Sequence, residues 1–342
     1  MRIKAKDVAR ELGLSTATVS LAMNNRPGVN EETRRRVLEY MERAAEETVG
    51  YHSGKERIIR LLSFLEDRSY WDSSEHTRTL ATFECASRLA REKGYKVELV
   101  SMVQGRDDFA QVLAECERDR VAGVFLGAAY MTADDYTSFW NFNIPFIVCD
   151  QDFGDLRTDN IILNNHQGVT WGLEYLYEHG HRDILYFRNS NSFYNMYERR
   201  EAFKRFMDKH NLQERQDEKI VNIGGDTQAA YEGMLLYLKE GKHIPTAIFS
   251  ENFEVTIGVS RALESRGFKI PEDISIVGFD SIPDMALMDF EPTCIRCLHE
   301  RKAGIAIGRL IDRIEGRVRE SVKIYVNTEL VIGNSVRRYQ MG

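Results

Sequence analysis

Twenty residues near the start, Lys6 to Asn25 (KDVARELGLSTATVSLAMNN), restrict the fold more tightly than any other stretch. Val8, Ala9 and Leu12, then Val19, Ala22 and Met23, recur at helical spacing and form two short amphipathic helices. Gly13 between them is free to take the positive φ of a tight turn. Ser15 suits the N-cap of the second helix, because its hydroxyl takes up an orphan N–H of the first turn. The unit is a helix-turn-helix. With Val19 and Met23 turned inward, Thr16, Ala17, Ser20 and Leu21 point outward near the start of the second helix, short enough for it to approach a major groove. A third helix starts at Asn30, another N-cap, with Glu31 and Glu32 on its positive end and Val37, Tyr40, Met41 and Ala44 as its packing stripe.

A three-helix bundle used for protein contact is the competing reading of this head, and charge argues against it. Residues 1–36 hold eight Lys and Arg against four Asp and Glu, a net +4, whereas the whole chain is −7, leaving −11 for the rest. A basic head on an acidic body points to phosphate at the head alone.

DVARELGLSTATVSLAMNN followed by GVNEETRRRVLEYM resembles the DNA-binding head of the lactose-repressor/galactose-repressor (LacI/GalR) family. The resemblance implies that Thr16, Ala17 and Leu21 face base edges, while Ser15, Thr18, Ser20, Asn24, Asn30 and Thr33 lie near phosphates; Arg34 of the basic run is a further candidate for phosphate by its charge. The family often has Arg in the slot of Leu21. Leu offers only apolar contact, for example to a thymine methyl, so the operator should differ at that base pair.

At 342 residues and 43% hydrophobic, the chain is long enough for two further lobes after the head. The longest uncharged apolar run, Val121 to Met131, is too short to span a bilayer, and the N-terminus has no export signal, so a cytoplasmic protein with no membrane partner is expected. Five scattered cysteines fit reduced thiols, and Cys294 and Cys297 form a lone C-x-x-C without the second pair that zinc normally wants. Glu46 to Arg57 (EETVGYHSGKER) reads as a linker broken by Gly50, Ser53 and Gly54. Many family relatives have a Tyr-x-Pro-Asn turn and a hinge helix whose leucine wedges into the minor groove. No such leucine is present here, leaving a flexible tether or a nonstandard hinge that orders on DNA.

From Ile58 strands and helices alternate. IIRLLSFL, YKVELVSM, VAGVFLG and IPFIVCD read as strands, with LATFECASRLAREKG and DFAQVLAECERDR as helices between them; the pattern restarts with GVTWGLEYLYEHG, RDILYFRN, YERREAFKRFMDKHN, PTAIFSEN, VTIGVSRALESRG and ISIVGFD. The expected fold is a small all-α head plus a two-lobed α/β domain, two doubly wound parallel sheets of the periplasmic-binding-protein-like kind. Ligands of such sheets sit beyond the carboxyl ends of the strands. Those ends hold Glu66, Asp67, Tyr70 and Trp71; Asp150; Ser192, Phe193, Tyr194 and then Arg199; Glu251 and Asn252; and Asp280. Carboxylates, an amide, an Arg and aromatic rings converging from two lobes suit a polyhydroxylated ligand. The bland reading is that such Asp residues cap helices and the rings are core.

Later segments carry the family resemblance as well: RREAF, PTAIFSENFEVTIG, HGHRDI and PEDISIVGFD. By that resemblance Asp150 borders the ligand, Arg199 binds it, Asn252 supplies the amide and Asp280 closes the set; Tyr70, Trp71 and Phe193 are candidate rings by their place after strand ends. Ala202 stands where the family has Gly, and Phe253 where it has Asp.

The domains are then 1–48, the DNA-binding head; 49–57, the linker; and 58–342, the effector-binding and dimerisation domain, with lobe 1 at about 58–160 and 294–320 and lobe 2 at about 161–293 and 321–342. Thr293 to Leu298 reads as a strand, Ala303 to Glu315 as a helix and VKIYVNTELVIG as one returning strand, giving three crossings between lobes. The expected function is a transcriptional regulator, a homodimer on a palindromic double-stranded operator, whose affinity a carbohydrate effector changes by induction or corepression. Alternatives are the same architecture answering to a nucleobase or a phosphoprotein, and an exported solute-binding protein, which would lack the basic head. An enzyme is not expected: neither G-x-G-x-x-G nor G-x-x-x-x-G-K-[ST] occurs, the eight histidines show no metal-ligand spacing, and no cofactor or metal is implied. Replacing Arg34 or Arg35 by Ala should weaken binding to all duplexes alike and lower the slope of log affinity against log salt by about one, as anisotropy titrations at several salt concentrations would show.

Overall fold

The computed structural model describes residues 5–23, 28–30, 32–37, 40, 57–65, 74–139, 142–154, 158–191, 193–212, 219–282 and 288–339. The chain divides into two units, Met1–Arg57 and Ile58–Gly342. In the first, α1 (Ala5–Leu12) and α2 (Thr16–Met23) flank Gly13, which takes φ 64°. Val8, Ala9, Val19, Ala22 and Val37 are buried together, with Leu12, Leu14, Val29 and Tyr40 around them. Residues 32–37 are helical, and Asn30 accepts the Thr33 N–H at 2.8 Å, so the third helix starts at its N-cap. The Met23 side chain, Met41 and Ala44, expected in the same core, lie outside the described residues, as do the linker residues 49–56.

The second unit runs β1 (Arg57–Leu65), α3 (Ser74–Arg91), β2 (Tyr95–Val103), α4 (Phe109–Arg118), β3 (Gly123–Gly127), α5 (Ala133–Tyr136), β4 (Phe146–Cys149) and β5 (Asp159–Leu163). It continues with α6 (Asn165–Glu178), β6 (Ile184–Asn189), α7 (Tyr194–Lys209), β7 (Ile220–Gly224), α8 (Thr227–Lys239), β8 (Ala247–Ser250), α9 (Phe253–Ser265) and β9 (Ser275–Phe279). Last come β10 (Thr293–Arg296), α10 (His299–Ile314), β11 (Lys323–Val326) and β12 (Glu329–Val331).

Two six-stranded sheets result, ordered β11-β5-β4-β3-β1-β2 and β12-β10-β9-β8-β6-β7. Apart from the last strand of each, the two orders are the same, so β4 corresponds to β9 and β5 to β10. The chain order reverses between β1 and β3 and again between β6 and β8, and each reversal opens a crevice beyond the strand ends. β5, β8 and β9 are buried along their whole length, because helices cover both faces; this is why ISIVGF is a continuous apolar run and not an alternating one. The first sheet packs Ile59, Phe125, Ile161 and Leu310 on one face and Leu62, Val124, Leu126 and Val148 on the other. The second packs Tyr186, Phe203, Phe249 and Phe279 on one face and Phe187, Ile248, Val259 and Ile276 on the other.

The lobe boundaries expected from the sequence need correction. β5 belongs wholly to the first sheet and β10 to the second, so the crossings fall at Asn164, at Cys297–Leu298 and at Asn327–Thr328. VKIYVNTELVIG is two strands, one in each sheet: β11 runs parallel to β5, and β12 antiparallel to β10. Asn164 Nδ2 donates to Asn327 Oδ1 at 2.9 Å, and Gln167 Oε1 accepts from both the N–H and hydroxyl of Thr328 at 2.9 Å, tying the first crossing to the third. α10 starts at His299, four residues before the sequence suggests, because Leu298 at its N-cap offers no side-chain acceptor to mark the start. Among the described residues no helix is long and apolar enough to cross a membrane.

α6 lies close on the second sheet through Gly168 and Gly172: a Cβ on Gly172 would stand 2.7 Å from the Phe249 ring and 3.1 Å from Val277. Gly172→Val should therefore overpack this layer and destabilise the second unit by about 1–3 kcal/mol, measured as a lowered midpoint in urea.

Candidate functional site

The head offers a surface built for a polyanion. Ser15 Oγ accepts the Thr18 N–H at 3.0 Å and lies 2.8 Å from the Thr18 hydroxyl, so it caps α2 as expected. The first turn of α2 carries no acidic residue, leaving its positive end open to phosphate. Ser15, Thr16 and Ala17 are exposed, while Thr18 and Leu21 are half-buried. Asn30, Arg35 and Arg36 are exposed beside half-buried Thr33 and Arg34. Asn24 and the Ser20 side chain lie outside the described residues.

In the second unit the strand ends of both sheets converge on one cleft. Asp150 follows β4 and Asp280 follows β9, the equivalent strand, and both take positive φ, 65° and 68°. Each donates its N–H to the neighbouring strand: Asp150 to Ile161 O at 3.3 Å and Asp280 to Ile295 O at 2.9 Å. Asp is among the few residues that tolerate this left-handed backbone, which turns each carboxylate toward the cleft.

Arg199, on α7, is 3% exposed. Its Nε donates to Asn165 Oδ1 at 2.9 Å, its Nη1 to Glu251 O at 2.7 Å and to Asp280 Oδ2 at 3.5 Å, and its guanidinium carbon lies 3.7 Å from the Phe279 ring centre. Asn165 Nδ2 donates to Asn195 Oδ1 at 2.7 Å, and Asn195 Nδ2 to Asp150 Oδ1 at 3.4 Å. Lys302, on the first turn of α10, donates to both Asp150 oxygens. A polar chain thus runs from Asp280 through Arg199, Asn165, Asn195 and Asp150 to Lys302. Phe193 meets Tyr130 across the cleft with ring centres 4.8 Å apart, and Ser63, Thr79, Thr82 and His299 complete the polar lining.

Burial pushes the Asp150 carboxyl upward, but the Lys302 ammonium more than offsets this and holds it below the ordinary carboxylate value. Lys302 is correspondingly raised, burial being outweighed by Asp150. The pair is an ion pair. Glu251 differs: burial carries it above the ordinary value against the Arg200 guanidinium, which reaches it through Nε at 2.6 Å and Nη2 at 3.0 Å. The Tyr186 hydroxyl at 3.0 Å and the Asn189 N–H at 2.7 Å fill its remaining acceptor positions, so Glu251 braces the strand ends from behind.

The cleft brings together Asp150, Phe193, Arg199 and Asp280 of the residues expected from the sequence. It does not include Asn252, which is an N-cap: Oδ1 accepts the Val255 N–H at 3.0 Å and Nδ2 donates to Glu254 at 2.9 Å, with the residue 2% exposed. Tyr70 and Trp71 lie outside the described residues. Sequence reasoning missed Lys302, His299, Asn195, Asn165 and Tyr130. Asn195 and Asn165 carry a signal in retrospect, since each sits in the first turn of a helix that follows a strand.

Fold and cleft together define a two-lobed ligand receptor joined to a helix-turn-helix head. Residues 4–52 match the family described as bacterial regulatory proteins, lacI family, and residues 173–336 match the periplasmic binding protein-like domain. The HTH-type transcriptional repressor PurR of Serratia proteamaculans (strain 568) is 30% identical over 97% of this chain and 96% of its own length. The probable HTH-type transcriptional repressor ExuR of Bacillus subtilis (strain 168) is 25% identical over 98% and 99%. The transcriptional regulator CelR–cellobiose complex has the same fold, with TM-score 0.71 and 19% identity over 98% of this chain and 100% of that one. So has the lac repressor dimer bound to operator and the anti-inducer ONPF, with TM-score 0.67 and 19% identity over 97% and 98%. The chain belongs to the LacI family of bacterial regulatory proteins. It is a ligand-modulated, DNA-binding transcriptional repressor.

Asp150→Asn should cost about 3 kcal/mol by leaving the buried Lys302 charge unpaired, Lys302→Met less because Asp150 is partly exposed to the cleft, and the double variant should recover most of the loss. Asp150 is depressed, so its contribution is present above its unfolded value of about 4 and lost as pH falls. Lys302 is raised, so its share is lost only as pH rises beyond about 10. The gap between wild type and Lys302→Met should therefore hold near neutral pH and close below about pH 4, as urea titrations across that range would show.

Proposed function

We propose that this repressor acts as a homodimer on a palindromic operator and that its effector is a small carbohydrate held between the two lobes. The observation that carries the reading is Arg199, a buried guanidinium aimed at Asp280 and linked through Asn165 and Asn195 to Asp150. A planar donor beside one carboxylate, with a second carboxylate on the opposite side of the cleft, pairs with vicinal hydroxyls; the hydroxyls of Ser63, Thr79 and Thr82 add partners, and Phe193 and Tyr130 offer faces to C–H groups. The CelR complex with cellobiose supports a sugar in a cleft of this fold. A nucleobase is the second reading, favoured by the Tyr130–Phe193 contact, against which a planar ring stacks.

In the head, Thr16, Ala17 and Leu21 are proposed to read base edges, and Ser15, Thr18, Ser20, Asn24, Asn30, Thr33 and Arg34 to meet phosphates. Exposure of the first turn of α2 supports this assignment. A repressor acting on DNA fits the cytoplasm, and no catalytic step is assigned to any residue.

Thermal-shift screening against sugars, sugar phosphates and nucleobases separates the two readings, the matching class alone raising the midpoint. With the active class in hand, Arg199→Lys and Asp280→Asn should abolish the ligand-dependent change in operator affinity while ligand-free affinity stays within about threefold, since neither residue is in the head. An unaltered ligand response in both variants removes the cleft assignment.

A further inference from the structure

Three side chains of different donor type meet where the cleft wall, lined by Asp280 and His299, adjoins the core of the second sheet, in which Cys297 is buried: a carboxylate, an imidazole and a thiol. One ligand atom from each lies within 4.8 Å of the other two, and His299 Nε2 stands 3.8 Å from Asp280 Oδ1. We propose that these residues form a site for a first-row transition ion of the zinc type, with its fourth position open to the cleft.

Nitrogen, sulfur and carboxylate oxygen are the ligands zinc takes, and thiolate with imidazole disfavours magnesium or calcium, which want oxygen alone. Around a tetrahedral ion with ordinary bond lengths such atoms stand about 3.3–3.6 Å apart, so the trio needs to contract by about 1 Å, and the partly exposed His299 side chain is the member with room to move.

Asp280 divides its two oxygens between two neighbours. Oδ2 faces the Arg199 Nη1 at 3.5 Å, while Oδ1 faces His299, so an ion on the Oδ1 side leaves the arginine contact in place. The nearby cations do not veto it: Arg199 is shared with Asn165 and the Glu251 carbonyl, and Lys302 is paired with Asp150.

Asp280 ends β9 in the second lobe, Cys297 lies in the middle crossing, and His299 opens α10, which packs on α3 and the first sheet. An ion held by all three joins the lobes at the hinge, and its open position meets a hydroxyl or carboxylate of whatever occupies the cleft. The C-x-x-C spacing was no guide, because Cys294 lies on β10 outside the trio. Uptake displaces the Cys297 thiol proton to solvent.

Cobalt(II) titration of the full-length protein tests the site. One equivalent should bind per chain and give a thiolate-to-cobalt charge-transfer band in the near ultraviolet, with tetrahedral d–d bands, and zinc should bleach both. Cys297→Ser should abolish the charge-transfer band, and His299→Gln should weaken binding at least tenfold, while Cys294→Ser leaves the spectrum unchanged. Absence of the band in the unaltered protein, or its survival in a folded Cys297→Ser chain, overturns the proposal. If Cys297→Ser does not fold, His299→Gln, at a partly exposed side chain, decides: wild-type affinity and spectrum there overturn it equally. The sugar reading does not enter this experiment.

Discussion

A guanidinium buried in the second lobe, at the lining of the cleft, is the constraint on which the receptor depends. Arg199 cannot be desolvated without partners, and the structure supplies them from four directions: Asn165, the Glu251 carbonyl, Asp280 and the face of Phe279. From there the polar chain passes through Asn195 to Asp150 and Lys302. Its step between lobes, Asn195 to Asp150, is also among its longest at 3.4 Å. A ligand that replaces this step acts where the lobes meet, and a differential of ~1–3 kcal/mol between open and closed forms shifts a linked equilibrium ~5–150-fold.

The duplicated topology explains how such a cleft is built. Because β4 and β9 occupy equivalent places, each sheet delivers an aspartate at the same point and in the same left-handed backbone. Three crossings join the lobes, and Asn164, Asn327, Gln167 and Thr328 lace two of them together. Movement there is limited to the few residues between strands, which favours closure of rigid lobes over local unfolding.

Much of this was legible in the sequence, and the failures have physical causes. The helix-turn-helix was readable because Gly13, Ser15 and Asn30 announce a turn and two caps by residue type. Most strands were readable from their apolar runs. β5 (DNIIL) and β7 (IVNIG) were missed because both are short and mixed with asparagine. Within the site, Arg199, Asp150 and Asp280 followed from strand ends and family resemblance. Asn252 failed because an amide at a strand end has two uses, ligand and N-cap, and only the backbone geometry of α9 decides between them. Lys302 and His299 were invisible because α10 begins without a capping signal, and because their partners lie far away in sequence, 152 residues between Lys302 and Asp150.

The head carries the other half of the account. Its core is small, and its exposed residues combine short side chains at the start of α2 with Arg35 and Arg36 on the following helix, the two kinds of side chain that protein–DNA contacts use for base edges and for phosphates. In a ligand-modulated repressor, cleft occupancy and DNA grip are thermodynamically linked. Selection of the full-length protein on a randomised duplex pool at ~150 mM salt, repeated with each ligand class that raises its thermal midpoint, tests this most directly. Linkage in a dimer requires enrichment of a two-fold symmetric sequence whose affinity changes at least fivefold when ligand is added. No enrichment over random duplex, or an enriched sequence bound equally well with and without ligand, would contradict it.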